Sequence, residues 1–196
     1  GTTGTPKGVM LTHRNIVSNV YAAREITPCQ PYDRSLTFLP PCHAYERMVV
    51  YTYMYIGLTI HIAESFDKIG ANLKEVQPHI MTAVPRILEK VYEKIMRTGH
   101  DLSGPKRKIF DWAVAIGEQY DPNPDNQSFA YKIKLKLAKK LVLDKWYEAL
   151  GGSLKTVASG SASLHGKLAR VFLAAGIPIY EGYGLTEASP LISVNH

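Results

Sequence analysis

The chain has 196 residues, 45% hydrophobic and 20% charged, enough apolar content for a core and too much for a disordered tail. Lys and Arg number 23 against 17 Asp and Glu, and the resulting +6 permits an anionic ligand without requiring nucleic acid. Two cysteines, Cys29 and Cys42, exclude a disulfide scaffold or a four-cysteine zinc site and make a reducing compartment the default.

No signal peptide opens the chain. Its longest stretch free of Asp, Glu, Lys and Arg, residues 48–63, is shorter than the roughly 20 residues of a spanning helix and contains Gly57 and His61, so no membrane span is expected. The start inside a Gly/Thr loop, without Met, and the end at His196 read as a piece of a longer protein.

In chain order, residues 1–13 form a loop leading to a helix capped by Thr12, with Ile16, Val17, Val20 and Tyr21 on its apolar face. Residues 35–39 are a short apolar run ended by Pro40 and Pro41, a buried strand and then a loop. In residues 44–56, Tyr51, Tyr53 and Tyr55 alternate as in a strand, but the segment is long for one and its length predicts a helix. Residues 58–63 read as a strand, 68–77 as a helix and 79–84 as a strand. Pro85 suits a first helical turn, Ile87, Leu88, Val91, Tyr92 and Ile95 follow at helical spacing, and Gly99 is the expected stop.

Residues 105–150 are helical in pattern, interrupted near 121–126 by Pro122, Pro124 and the Asp and Asn around them. Residues 154–158 read as a strand. Ser163 then caps a helix carrying Leu164, Leu168, Val171 and Phe172 and ended by Gly176, and 178–182 is the last strand. Strands alternating with helices predict an α/β fold, a mainly parallel sheet flanked by helices, with a helical insertion at about 100–150.

The opening GTTGTPKG offers glycines that turn backbone N–H groups inward, threonine hydroxyls and one ammonium, a combination suited to a polyphosphate. It is not a Walker A loop, because Pro6 precedes Lys7 and Gly8 follows it. By itself, such a loop also reads as a polar turn without a ligand.

GTTGTPKG resembles the phosphate loop of the adenylate-forming superfamily of acyl-CoA synthetases, luciferases and peptide synthetase adenylation domains. GYGLTEASP, residues 182–190, is similar to that superfamily's adenine and magnesium motif, and SGSASL, residues 159–164, to its small-residue segment beside the nucleotide. LPPCHAYER (39–47), AVPRILEKVYEKI (83–95) and the helical block ending in EALGG bring the resemblance closest to AMP-forming long-chain fatty acid CoA ligases. The resemblance implies that residues 1–196 are an incomplete portion of the large N-terminal AMP-binding domain, with the C-terminal domain and its adenylation lysine lying outside the chain.

On that resemblance, Thr2, Thr3, Gly4, Thr5 and Lys7 would hold the β- and γ-phosphates of ATP, and Gly8 would let the backbone pass close. Gly160, Ser161, Ala162, Glu181, Gly182 and Gly184 would line the adenine pocket. Tyr183 would stack on adenine, Thr186 would bond the α-phosphate, and Glu187 would ligate Mg²⁺. Thr186, Glu187 and His43 are the implied catalytic set. His43 reads either as a positioning group near the reacting carboxylate or as a loop histidine packed on Tyr45. His61 and His79 read as core or surface histidines, without zinc spacing.

Lys132, Lys136, Lys139 and Lys140 fall within about 100° on a helical wheel. The opposite side is expected to be apolar, with Ile133, Leu137 and Leu141 nearest its edge. The lysines are either a solvated face on a packed helix or a docking face for an anionic membrane.

The implied activity is ATP-dependent activation of a long-chain fatty acid through an acyl-adenylate, then thioester formation with coenzyme A and release of AMP. Other readings are an aryl or amino acid adenylating ligase, or a non-catalytic membrane-surface interaction domain. A cytoplasmic location, peripheral to the membrane at most, is expected, without a nucleic-acid partner. Uncovered apolar surface is expected to favour self-association, and the chain alone is expected to be inactive or nearly so.

Overall fold

The alternation of strand and helix patterns folds, in a computed structural model that describes residues 8–195, into a single six-stranded sheet. The strands are β1 (Arg34–Thr37), β2 (Thr59–Ile62), β3 (Ile80–Ala83), β4 (Thr156–Ser159), β5 (Ile179–Gly184) and β6 (Leu191–Val194). Their order is β2-β1-β3-β4-β5-β6. The first five are parallel; β6 runs antiparallel to β5, with a bulge at Tyr183/Gly184. The helices are α1 (His13–Ile26), α2 (Ala44–Ile56), α3 (Ile69–Val76), α4 (Pro85–His100), α5 (Gly104–Glu118), α6 (Phe129–Ala138), α7 (Asp144–Ala149) and α8 (Gly166–Ala174). No described helix is long and apolar enough to cross a membrane.

Successive strand residues face opposite sides, so neighbouring Ile80 and Met81 enter different cores. Ile80 joins Val20, Met48, Tyr53 and Ile56 under α1 and α2. Met81 joins Leu36, Val157, Leu143, Trp146 and Phe172 under the helices from α3 to α8. The second core is the larger, with Trp146 against Tyr92, Phe110 and Phe172. Helix α1 begins as the sequence predicts: the Asn15 N–H donates to Thr12 Oγ1 at 3.2 Å, and the Thr12 N–H donates to Asn15 Oδ1 at 3.0 Å.

Several boundaries move. Helix α4 runs through Gly99 to His100, because Gly99 is where Phe110 of α5 presses on the helix: a Cβ there would lie 2.1 Å from the ring. The space it leaves for that ring, not helix termination, is why glycine suits the position. Ser163 does not cap α8, which starts three residues later at Gly166 with His165 as N-cap. Strand β5 extends to Gly184, and β6, too exposed to alternate clearly, has no counterpart among the strands the sequence predicts. The 44–56 segment is the helix its length indicates, ended by Gly57 at φ 85°.

Helix α6 departs most from expectation. Its inner face is Tyr131, Leu135 and Ala138, continued by Val142 in the π-helical turn Lys139–Leu143 that links it to α7. The Tyr131 hydroxyl donates to the Ile116 carbonyl of α5 at 2.9 Å. Ile133, Leu137 and Leu141 face outward instead. Lys139 leaves the lysine face: it is half-buried, its Nζ 3.6 Å from where a Cβ would stand on Gly176, just beyond α8. An ammonium there complements the carbonyl end of α8.

Candidate active site

In a parallel sheet, ligands gather beyond the carboxyl ends of strands, above all where chain connections change direction. The predicted site residues sort to that edge. His43 follows β1, Gly160, Ser161 and Ala162 follow β4, and Glu181, Gly182, Tyr183 and Gly184 lie in β5, with Thr186 and Glu187 just after it. Thr2, Thr3, Gly4, Thr5 and Lys7 lie outside the described residues; Gly8 is exposed, with nothing close to its Cβ position.

The turn after β4 is tight. The Gly160 N–H donates to the Ala83 carbonyl of β3 at 3.2 Å. Ser161 adopts φ 71°, a left-handed conformation that non-glycine residues seldom hold and that concentrates at functional sites. Glu181 stays close: its carboxylate accepts the Leu164 N–H at 3.4 Å, and its own N–H donates to Asn195 Oδ1 at 2.6 Å.

The end of β5 is pinned by its return strand. The Leu185 N–H donates to the Pro190 carbonyl at 2.9 Å, and Thr186–Ala188 form a 3-10 turn. Gly184 is obligatory here, because a Cβ would stand 1.9 Å from the Pro190 carbonyl oxygen. The result projects side chains outward: Tyr183 is 64% exposed, and Thr186 and Glu187 are exposed as well. An exposed tyrosine ring on a glycine-flanked ledge is available for stacking. Glu187 makes no ion pair among the described residues, which contain no cluster of three metal-ligating side chains. One carboxylate with an adjacent threonine hydroxyl fits Mg²⁺, which takes one or two protein oxygens and completes its shell with phosphate and water.

His43 is the exposed N-cap residue of α2, without a side-chain cap bond. Tyr45 and Glu46, in the first turn of the helix, do the anchoring. Tyr45 reaches across the sheet to donate its hydroxyl to the Ala158 carbonyl of β4 at 3.0 Å, and its ring covers Gly160 so closely that a Cβ there would lie 2.8 Å away. Burial pushes the Tyr45 phenol well up, with Glu46 adding to the effect. Glu46 is 1% exposed and accepts the hydroxyls of Thr37 on β1 and Thr82 on β3. Burial raises its carboxyl pKa, and the two threonine hydrogen bonds oppose the rise. Glu46 thus clamps the first turn of α2 over the β1/β3 crevice, and Tyr45 ties the same turn to the β4 end.

Sequence reasoning gives a role to His43, names Tyr45 only as its packing partner and assigns Glu46 no role of its own. An acidic residue one helical turn after the histidine is the available signal for Glu46; nothing local points to Tyr45, whose partner is 113 residues away.

Beneath this edge lies a small apolar pocket of about 70 Å³ between α1, α2 and strands β3 to β6. Met48, Val49 and Tyr53 line it from α2, Ala158 and Ser159 from β4, Gly182 from β5 and Leu191 from β6, and no Asp, Glu, Lys or Arg contributes. Asn19 of α1 accepts the N–H of Leu191, one of the lining residues, at 2.6 Å and so ties α1 to β6. The pocket wall therefore includes Ser159, the last residue before the Gly160 turn, and Gly182.

A family model described as AMP-binding enzyme matches residues 1–196. Among curated relatives, the long-chain-fatty-acid-CoA ligase ACSBG2 of Xenopus laevis is 35% identical over 96% of this chain and 27% of its own length. The putative fatty-acid-CoA ligase fadD11 of Mycobacterium tuberculosis is 33% identical over 100% and 35% respectively. The chain thus spans about a third or less of the length of these relatives. Among solved structures, the N-terminal domain of FACL13 from Mycobacterium tuberculosis superposes with a TM-score of 0.61 at 22% identity, covering 96% of this chain and 36% of that one. The long-chain-fatty-acid-CoA ligase FadD1 from Archaeoglobus fulgidus gives 0.64 at 19% identity, covering 100% and 32%. With the match running from end to end, the chain belongs to the AMP-binding enzyme family.

Proposed function

We propose that this chain is the nucleotide- and acyl-binding part of an AMP-forming long-chain fatty acid CoA ligase. The observation that carries the reading is the common wall: an uncharged apolar pocket is lined by Ser159, the last residue before the Gly160 turn, and by Gly182, where the adenine motif begins. A hydrocarbon chain seated there would bring its carboxylate toward the nucleotide. An amino acid substrate is disfavoured, because its ammonium would find no acidic residue in the pocket lining.

The proposed chemistry has two steps. The fatty carboxylate attacks the α-phosphorus of ATP and expels pyrophosphate; the CoA thiol then attacks the acyl carbon and AMP leaves. Tyr183 stacks on adenine, Thr186 donates to the α-phosphate, and Thr2, Thr3, Gly4, Thr5 and Lys7 hold the β- and γ-phosphates. His43, carried by the turn that Tyr45 and Glu46 fix, orients the carboxylate. Glu187 would hold Mg²⁺, which when bound offsets phosphate charge. These contributions are positioning and charge neutralisation rather than proton transfer. The reading places the protein in the cytoplasm, where its two free cysteines, Cys29 buried and Cys42 exposed, stay reduced. Peripheral association with an anionic membrane, where a fatty acid partitions, belongs to the same reading.

Calorimetry of MgATP binding to the chain, beside Glu187→Ala and Lys7→Ala, tests the site. Binding weakened by both changes supports one shared nucleotide. Pyrophosphate exchange by the full-length polypeptide tests the substrate: exchange driven by long-chain acids supports the reading, and exchange driven only by aryl or amino acids overturns it.

A further inference from the structure

Phe129, Ile133, Leu137 and Leu141 recur at four-residue steps along α6 and the π turn, and they are 79%, 55%, 50% and 40% exposed. They are not the buried face, which Tyr131, Leu135, Ala138 and Val142 occupy. A four-residue step normally drifts around an α-helix; the wider π turn at Lys139–Leu143 takes up more residues per turn and keeps Leu141 near the line of Leu137. Lys132, Lys136 and Lys140 run along one side of this stripe, Lys134 lies on the other and Lys145 beyond its end, all exposed. Asp144 is the acid nearest that run, and none of the five lysines is ion-paired with another described residue.

We infer that the Phe129–Leu141 stripe and its flanking lysines are a docking surface for an anionic lipid bilayer. The inference names the surface for the peripheral membrane association proposed above and rests on that reading. An apolar ridge edged by ammonium groups is the pattern of a helix lying in the headgroup plane, with apolar groups in the acyl boundary and cations among the phosphates. A protein partner is disfavoured, because interface cores are depleted in lysine. The contrast is on the same molecule: the outer face of α1 and α2 exposes Tyr21, Tyr51, Met54 and Tyr55 without such a lysine row. The stripe lies on the α3–α8 side of the sheet and the pocket under α1 and α2, so docking concentrates the protein at the bilayer and does not itself feed the pocket.

Flotation of the full-length polypeptide with phosphatidylcholine vesicles, with and without phosphatidylserine, tests the surface. Binding is expected only with phosphatidylserine and to weaken with salt. The triple change Lys132→Gln, Lys136→Gln and Lys140→Gln should lower partitioning by about tenfold or more, each lysine near such a surface being worth several-fold. Ile133→Ser with Leu137→Ser should lower it similarly, and both variants should keep the parent's melting temperature and its pyrophosphate exchange with a short soluble carboxylate. Partitioning unchanged in both variants overturns the proposal, as does equal binding to neutral vesicles. Loss of self-association instead of vesicle binding would identify a second copy as the occupant and also overturn it. Exchange that persists while vesicle binding is absent sinks the surface and leaves the ligase reading standing; vesicle binding without any exchange does the reverse.

Discussion

The two ends of the sheet are built on opposite plans. At the amino edge, polar groups satisfy one another: Asp33 accepts from Lys155 at 2.6 Å and from the Gln30 N–H at 2.8 Å and lies 3.6 Å from His79, while His79 Nδ1 accepts the Arg34 N–H at 3.0 Å. Those contacts tie together the starts of β1, β3 and β4. At the carboxyl edge, half-buried Tyr45 and buried Glu46 are locked to strands, and Tyr183, Thr186 and Glu187 are left exposed. One edge uses its polar groups for closure, and the other leaves Tyr183, Thr186 and Glu187 exposed. A scaffold rigid at one end and chemically open at the other is what a positioning mechanism requires.

The sharpest way to break that comparison is at Glu187. Glu187→Ala in the full-length polypeptide should lower pyrophosphate exchange by about 100-fold or more, with no change in melting temperature. A melting temperature that falls together with activity would mean that the carboxyl edge is also structural.

Next comes Glu46, the clamp under the open edge. Glu46→Ala strands two buried threonine hydroxyls and should cost about 2–3 kcal/mol in denaturant unfolding, whereas Glu46→Gln retains a partner for each. The pH dependence has a defined sign. Burial raises the folded-state pKa, so the stability tied to this group is full below the ordinary carboxylate range and is lost as pH rises through the raised value. The stability of the wild type relative to Glu46→Gln should therefore decline with rising pH; a constant difference would show that Glu46 does not titrate in the folded state.

Gly160→Ala is expected to cost about 1–2 kcal/mol, because the added carbon displaces the Tyr45 ring. Tyr45→Phe, which removes the bond to Ala158, should cost about 1 kcal/mol. The double variant should fall short of the sum, since both changes act on one ring; strict additivity would separate the two residues.

The smallest effect belongs to the amino edge. Asp33→Asn should cost about 1 kcal/mol and leave exchange kinetics untouched. Burial raises the Asp33 pKa, but the Lys155 and Gln30 hydrogen bonds and the nearby His79 leave it below its ordinary value. Burial lowers that of His79 against the pull of Asp33. Both depressed values act in one direction: the contribution is present at neutral pH, begins to fade as pH falls through the ordinary histidine range, and is lost further as Asp33 protonates. Below the histidine range, where Asp33 itself protonates, acid melts of Asp33→Asn should show a shallower decline than the wild type.

Much of the fold is legible in the chain. Five strands, the helix after Pro85 and the Pro122–Asn126 break all follow from period and punctuation, which act over a few residues. The departures lie where a distant partner decides. Gly99 reads as a stop until Phe110 is seen against it. Ile133, Leu137 and Leu141 read as a packed edge, but a helical wheel shows which residues share a side and not which side meets the core. Strand β6 exists because β5 offers it a free edge, and its own pattern says little.

The alternation of elements, the glycine-rich turns and the motif residues can be read along the chain, because turn chemistry and short-range periodicity are local. The reach of Tyr45 to β4, the Glu46 bridge between β1 and β3, the apolar pocket lined by Ser159 and Gly182, and the outward-facing apolar residues of α6 emerge only on packing. The physical reason is that burial and hydrogen-bond satisfaction depend on contacts between residues far apart in the chain, and strand order, which sets those contacts, is fixed only when all layers pack together.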